Sequence, residues 1–285
     1  GRWVLVLSAD RHTPSAVAAT LRGAGFGGSV LTVLSDLGSA DETRFSCAAR
    51  DWAADREAPP LHVLAVECVA DASARPLGLT PGLPDDAFEN DGQLTRRDLR
   101  AAALSRLAPS AGAVLWDVGA GAGSVGIEWM RTHPTCRAIA VEADPERAAR
   151  IARNAAALGV PGLEVVRGRA PEALDGLPRP DAVFVGGGGT AAGLLEQCWD
   201  ALVPGGRLVA HAVTLETERA VIDARAEFGG ELTRFHVEHA DMIGTFSGWA
   251  PARAVVQWAA VKPRVAAAGP GAAESEQTIA TGESS

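Results

Sequence analysis

Short apolar runs alternate with helical patterns along most of this chain. Trp3–Leu7 reads as a buried strand, followed by a helix over Pro14–Arg22 with Thr13 as its N-cap and Gly23 beyond its end. Ser29–Leu34 predicts a second strand, Asp41–Asp55 a helix and Leu61–Cys68 a third strand. From Ala72 the periodicity stops, and the proline- and glycine-rich run from Arg75 to Pro84 predicts a connector. The predicted organisation is a small α/β piece over residues 1–71, a linker over 72–91 and a larger domain over 92–263.

In that larger domain, strands are expected at Ala113–Val118, Arg137–Val141, Leu163–Arg167, Ala182–Val185 and Arg207–Ala212. Helical patterns at Val125–Thr132, Pro145–Leu158, Thr190–Leu202 and Leu215–Glu227 separate or follow them. Two later runs, Glu231–His239 and Ala252–Val261, have no helix between them and read as a closing antiparallel pair. Such alternation predicts crossover helices over a mostly parallel sheet. Residues 264–285, rich in Ala, Gly, Ser and Glu, predict a disordered tail.

Composition narrows the chemistry. The 285 residues are 47% hydrophobic and 21% charged, a globular balance. The longest uncharged run, Ala182–Leu195, is shorter than the ~20 apolar residues of a membrane span, so no membrane partner is expected. No signal segment opens the chain, and its start at Gly1 reads as a cut edge. There is no Tyr, and Lys262 is the single Lys, which removes tyrosine acid–base chemistry and leaves no P-loop lysine. A net charge of −9 argues against a broad grip on nucleic acid. Cys47, Cys68, Cys136 and Cys198 are widely spaced and lack a Cys-x-x-Cys, which fits buried thiols in a reducing cytoplasm rather than disulfides or a metal site.

The candidate chemistry begins at Asp117-Val118-Gly119-Ala120-Gly121-Ala122-Gly123-Ser124-Val125-Gly126, which follows an apolar strand and opens a helix. Glycines there let backbone approach a ligand, and the helix N-terminus offers free N–H groups. An acid before the first glycine suits a ligand with a cationic sulfonium better than a pyrophosphate. Glu142 ends the next strand, where a carboxylate can reach ribose hydroxyls, while Asp144 suits a helix N-cap ahead of Pro145. Gly168-Arg169-Ala170-Pro171-Glu172 follows the third strand, and Gly186–Gly189 follow the fourth, where bare backbone would border a ligand crevice.

Together these motifs resemble class I S-adenosylmethionine-dependent methyltransferases, a Rossmann-like fold with a mostly parallel seven-stranded sheet. The run 91–97 (Asp-Gly-Gln-Leu-Thr-Arg-Arg), the Gly-Arg-Ala-Pro-Glu run and Ala212-Val213-Thr214-Leu215-Glu216-Thr217 are more selective. They resemble the decarboxylating precorrin methyltransferases of cobalamin biosynthesis, which act at C15; Leu202–Arg207 is similar to a stretch common to many methyltransferases. Ser8–Pro14 and Val33–Gly38 with Asp41 and Glu42 look like the C-terminal half of a tetrapyrrole methylase domain, the C5-methylating partner in the fused members of the family. No counterpart of that domain's glycine-rich N-terminal half stands here, so C5 methylation is not expected of these residues.

The resemblance implies S-adenosylmethionine as cofactor, with contacts from Thr95, Asp117, Gly119, Gly121, Gly123, Glu142, Arg169, Ala170, Gly186 and Gly187. It implies an anionic tetrapyrrole as substrate, methylated at C15 and decarboxylated at the C12 acetate, and a cytoplasmic homo-oligomer, with a tetramer expected. Arg96, Arg97 and Arg100 are candidates for the substrate carboxylates, and His211 for proton transfer. His236 and His239 are read as packing or solvent-facing. Three alternatives stay open: a nicotinamide-dependent oxidoreductase, a methyltransferase acting on RNA or another small molecule, and a nucleoside-sensing module without chemistry.

Overall fold

The computed structural model describes residues 2–72 and 74–264, so the predicted tail lies outside the described residues except for Arg264. The chain divides into two compact units, Gly1–Gly78 and Leu79–Ser285.

The first unit contains β1 (Arg2–Leu7), α1 (Thr13–Gly23), β2 (Val30–Ser35), β3 (Thr43–Ala48) and β4 (His62–Cys68). Its antiparallel sheet has the order β1-β4-β2-β3, and α1 packs Ala18 against Leu31, Leu64, Val66 and Trp52. Three expectations need correction. The helix predicted over Asp41–Asp55 is instead β3 followed by a 3₁₀ turn at Ala49–Asp51. Every residue of β3 pairs with β2, and the Ser46 and Thr32 hydroxyls meet at 2.9 Å, so sheet pairing outweighs weak local helix preference. β1 is an edge strand rather than a buried one, and its odd-numbered face (Trp3, Leu5, Leu7) is covered by no element of its own unit. The N-cap position of α1 is His12, and the Asp10 carboxylate accepts from the His12 and Thr13 amides.

The second unit opens with a strap, residues 79–96, that the sequence reading assigned mainly to a linker. Its Gly82 and Leu83 amides donate to Glu128, and its Glu89 amide donates to Asn154. Then come α2 (Arg97–Leu107), β5 (Val114–Val118), α3 (Ser124–Thr132), β6 (Arg137–Glu142), α4 (Pro145–Ala157), β7 (Glu164–Arg167) and β8 (Ala182–Val185). They are followed by α5 (Leu194–Ala201), β9 (Arg207–Ala212), α6 (Leu215–Phe228), β10 (Glu231–Phe235), β11 (Glu238–Ile243), β12 (Phe246–Pro251) and β13 (Val255–Val261).

Seven strands form one sheet in the order β10-β13-β9-β8-β5-β6-β7. β9, β8, β5, β6 and β7 run parallel, and β13 and β10 close the sheet antiparallel. The fully buried parallel strands read as continuous apolar runs because helices cover both faces. Trp199 of α5, Phe228 of α6 and Trp258 of β13 stack at centroid distances of 4.9 to 6.4 Å and cover one face of the sheet. Two elements went unpredicted. α2 buries Arg100, Ala103, Leu104 and Leu107, a helical stripe disguised by an arginine at its first position. The hairpin β11–β12 turns at Gly244-Thr245, with Gly244 at φ +62°, and splits the run expected over Glu231–His239. None of the described helices is long and apolar enough to cross a membrane.

Candidate functional site

Strand order reverses between β5 and β8, so the chain leaves these neighbours in opposite directions and opens a crevice at their C-terminal ends. A cleft of about 1110 Å³ occupies that position. Its floor is built from the loops after β5 (Gly119, Ala120, Gly121), β6 (Glu142, Ala143), β7 (Gly168, Arg169, Ala170) and β8 (Gly186, Gly187, Gly188). The strap residues Gln93, Leu94, Thr95 and Arg96 border it, and His211, Val213, Phe235, Val237, His239, Arg253 and Val255 extend it over β9, β13 and β10.

The loop glycines have separable causes. Gly119 sits at φ +66°, and a Cβ there would lie 2.8 Å from the Gly187 backbone, so the two loops touch through bare backbone. Gly121 sits at φ +59°, where a Cβ would meet the Gln93 carbonyl at 2.8 Å. Gly123 does not line the cleft: a Cβ there would strike Ile151 at 2.7 Å, so it serves the packing of α3 on α4.

Glu142 is buried at the end of β6. Its carboxylate accepts from the Gly121 amide and from the Asp144 amide, both at 2.9 Å, which aims it across the glycine loop into the cleft. Asp144 is the N-cap of α4, accepting from the Glu146 and Arg147 amides. Asp117 also departs from expectation. It lies beneath the loop, outside the cleft lining, and accepts a 2.8 Å bond from the Gly126 amide. Burial first, then the nearby charge of Glu142, pushes its carboxyl up to about 7, while the Gly126 bond acts in the opposite direction. Asp117 therefore supports the loop from beneath through the Gly126 amide.

The three predicted arginines separate. Arg96 lines the cleft, exposed, with Asp85 at 3.5 Å. Arg97 is exposed on α2 outside the cleft lining. Arg100 is fully buried; it donates to Glu128 at 2.6 Å, to Asp85 at 3.3 Å and to the carbonyls of Thr95 and Leu83. It anchors the strap and has no surface to offer a substrate. Arg147, Arg253 and His239 line the cleft although the sequence reading gave them no role there; Arg147 is held by Asp91 at 2.9 Å. Those paired guanidiniums of Arg147 and Arg150 hold the Asp91 carboxyl well below its usual range.

His211 stands where β9 ends. Its Nε2 meets Gln257 Oε1 at 2.9 Å, and its ring meets Phe184 edge-on at 5.1 Å. Burial lowers its pKa, against a smaller raising effect of Gln257, so the ring is neutral near pH 7. With Nε2–H donated to Gln257, Nδ1 is left as an acceptor.

Strand order and cleft give the second unit the class I S-adenosylmethionine-dependent methyltransferase fold. The chain belongs to the precorrin methyltransferase domain family, whose model matches residues 86–262. It is 50% identical over 262 residues, 92% of this chain, to the precorrin-6Y C(5,15)-methyltransferase [decarboxylating] of a Sinorhizobium species, and spans 63% of that protein's length. It is 38% identical over 174 residues to the "Probable cobalt-precorrin-6B C(15)-methyltransferase (decarboxylating)" of Pyrobaculum calidifontis, covering 59% of this chain and 89% of that one. The crystal structure of the C-terminal domain of precorrin-6Y C5,15-methyltransferase from Rhodobacter capsulatus superposes with a TM-score of 0.62 at 41% identity, covering 65% of this chain and all of that one.

Proposed function

We propose that the second unit binds S-adenosylmethionine over the loops after β5, β6, β7 and β8, methylates C15 of a precorrin and releases CO₂ from the C12 acetate. The observation that carries this reading is the pair of facing loops at Gly119 and Gly187, with the Glu142 carboxylate held beside them. A Cβ at Gly119 would strike the Gly187 backbone and one at Gly121 the Gln93 carbonyl, so the loop borders the cleft as bare backbone, which fits a nucleoside lying against it. The cofactor supplies an electrophilic methyl group when bound. Glu142 keeps lone pairs that would hold ribose hydroxyls, Thr95 and Gly187 would hold the methionine part, and Arg169 and Ala170 would hold the adenine; all five line the cleft.

C15 of the macrocycle is the nucleophile, and the conjugated ring system takes the electron pair left by departing CO₂. The protein's own part is therefore positioning and exclusion of water. His211, neutral with Nδ1 open, is the base for the proton released on methylation, and a proton returned to the acetate carbon that loses CO₂ completes the methyl group at C12. Arg96 is a contact for a substrate carboxylate.

The first unit is proposed to be part of a tetrapyrrole methylase domain, with C5 methylation not assigned to these residues. We also propose a cytoplasmic homo-oligomer, a tetramer. The hairpin β11–β12 exposes Met242, Ile243, Phe246 and Trp249, an apolar surface that an assembly would cover. Calorimetry with S-adenosylhomocysteine tests the cofactor site: one equivalent bound per chain is expected, and no heat from folded protein contradicts it.

A further inference from the structure

The cleft is wider than its cofactor loops. Those loops belong to β5, β6, β7 and β8, whereas the remaining wall rises from β9, β13 and β10. β13 runs antiparallel to β9, so the start of β13 lies at the same sheet edge as the end of β9. There Phe235, Val237 and Val255 give an apolar surface, and Arg253, between β12 and β13, stands beside it.

Charge pairing singles Arg253 out. Of the arginines lining the cleft, Arg147 is held by Asp91 and Arg96 shares Asp85. Arg169 lies on the cofactor side, after β7. Among the described residues, Arg253 has no hydrogen bond or ion pair, and it is the cation of the β9–β13–β10 side without one. An unpaired guanidinium next to an apolar wall matches a ligand with a flat apolar body and a carboxylate at its edge.

We infer that Arg253 is a carboxylate-binding residue of an acceptor subsite formed by Phe235, Val237 and Val255, and that this subsite takes a polycarboxylate macrocycle. The inference deepens the proposed function and rests on it for the identity of the acceptor. Arg253 fixes where the macrocycle lies, and His211, at the end of β9, stands between this subsite and the cofactor loops.

The test is equilibrium binding of uroporphyrin, a tetrapyrrole octacarboxylate, to the full chain saturated with S-adenosylhomocysteine, read by porphyrin fluorescence. Arg253→Gln is expected to weaken binding at least tenfold and Arg253→Lys to recover part of the loss. Arg219→Gln removes the same charge from exposed α6 outside the cleft and is expected to leave affinity unchanged. Equal affinity of wild type and Arg253→Gln, equal losses at Arg253 and Arg219, or no porphyrin binding by the wild type overturns the inference. If Arg253-dependent binding is present while the wild type transfers no methyl group to a precorrin, the acceptor subsite stands and the proposed reaction falls.

Discussion

The Gly121 amide donates to the Glu142 carboxylate at 2.9 Å, joining the end of β6 to the glycine loop that follows β5. The same carboxylate also accepts from Asp144, so two backbone amides fix it before any ligand arrives. Pre-set carboxylates of this kind lose little freedom on binding. Glu142→Gln keeps one acceptor oxygen but loses the charge-assisted contacts. Its cofactor affinity is expected to fall about tenfold to a hundredfold, roughly 1–3 kcal/mol, with the folded state retained. Calorimetry of S-adenosylhomocysteine binding, with circular dichroism as the fold control, checks this; unchanged affinity contradicts the ribose role.

Gly119 gives a steric counterpart. Its positive φ and the 2.8 Å approach to Gly187 mean that Gly119→Ala must push two loops apart. Gly112 has a similar φ, +79°, with nothing within 4 Å of its would-be Cβ, so Gly112→Ala isolates backbone strain of about 1 kcal/mol. Cofactor binding is expected to collapse in Gly119→Ala and persist in Gly112→Ala, while thermal melts fall further in Gly119→Ala, which adds the clash with Gly187 to the backbone strain that both share.

Asp117 makes stability depend on pH. Its folded pKa of about 7 lies above the unfolded value of 3.8, so the native state holds a proton that the unfolded chain has released between those values. The stabilisation is complete below the unfolded pKa and is lost as pH rises through 7. Asp117→Asn keeps an acceptor for the Gly126 amide and removes the titration. Between pH 5 and 8 the wild type is expected to lose about 2 kcal/mol relative to Asp117→Asn in urea unfolding. Parallel pH profiles for the two proteins contradict this.

Arg100 and Glu128 form a buried pair that also holds the Gly82 and Leu83 amides and the Thr95 carbonyl. Arg100→Met leaves Glu128 uncompensated in the interior. A cost of about 3–5 kcal/mol is expected, with part of it recovered in the double variant Arg100→Met with Glu128→Gln. A surface arginine serving substrate would show no such loss, so denaturant unfolding separates the two roles.

Arg100 also marks the limit of what was legible in the sequence. The parallel core was plain because its strands are short, mostly apolar runs that alternate with helical patterns, and the glycine loops and Glu142 were plain because they are local. Arg100 looked like a surface cation since its partner lies 28 residues away on α3. α2 was hidden by the same residue, which breaks an otherwise apolar stripe. β3 looked helical because nothing nearby in sequence reports its pairing with β2. Arg253 was passed over because its place in the cleft depends on β13 returning antiparallel beside β9, a relation set by tertiary structure.

The central claim is that this chain methylates a precorrin at C15 and removes one carboxyl group. The most direct measurement is the mass of the product after incubation with methyl-labelled S-adenosylmethionine and precorrin-6B. A product that has gained one labelled methyl group and lost one CO₂ is predicted. An unchanged precorrin, in the presence of protein that binds the cofactor, would contradict the account and leave a methyltransferase with a different acceptor.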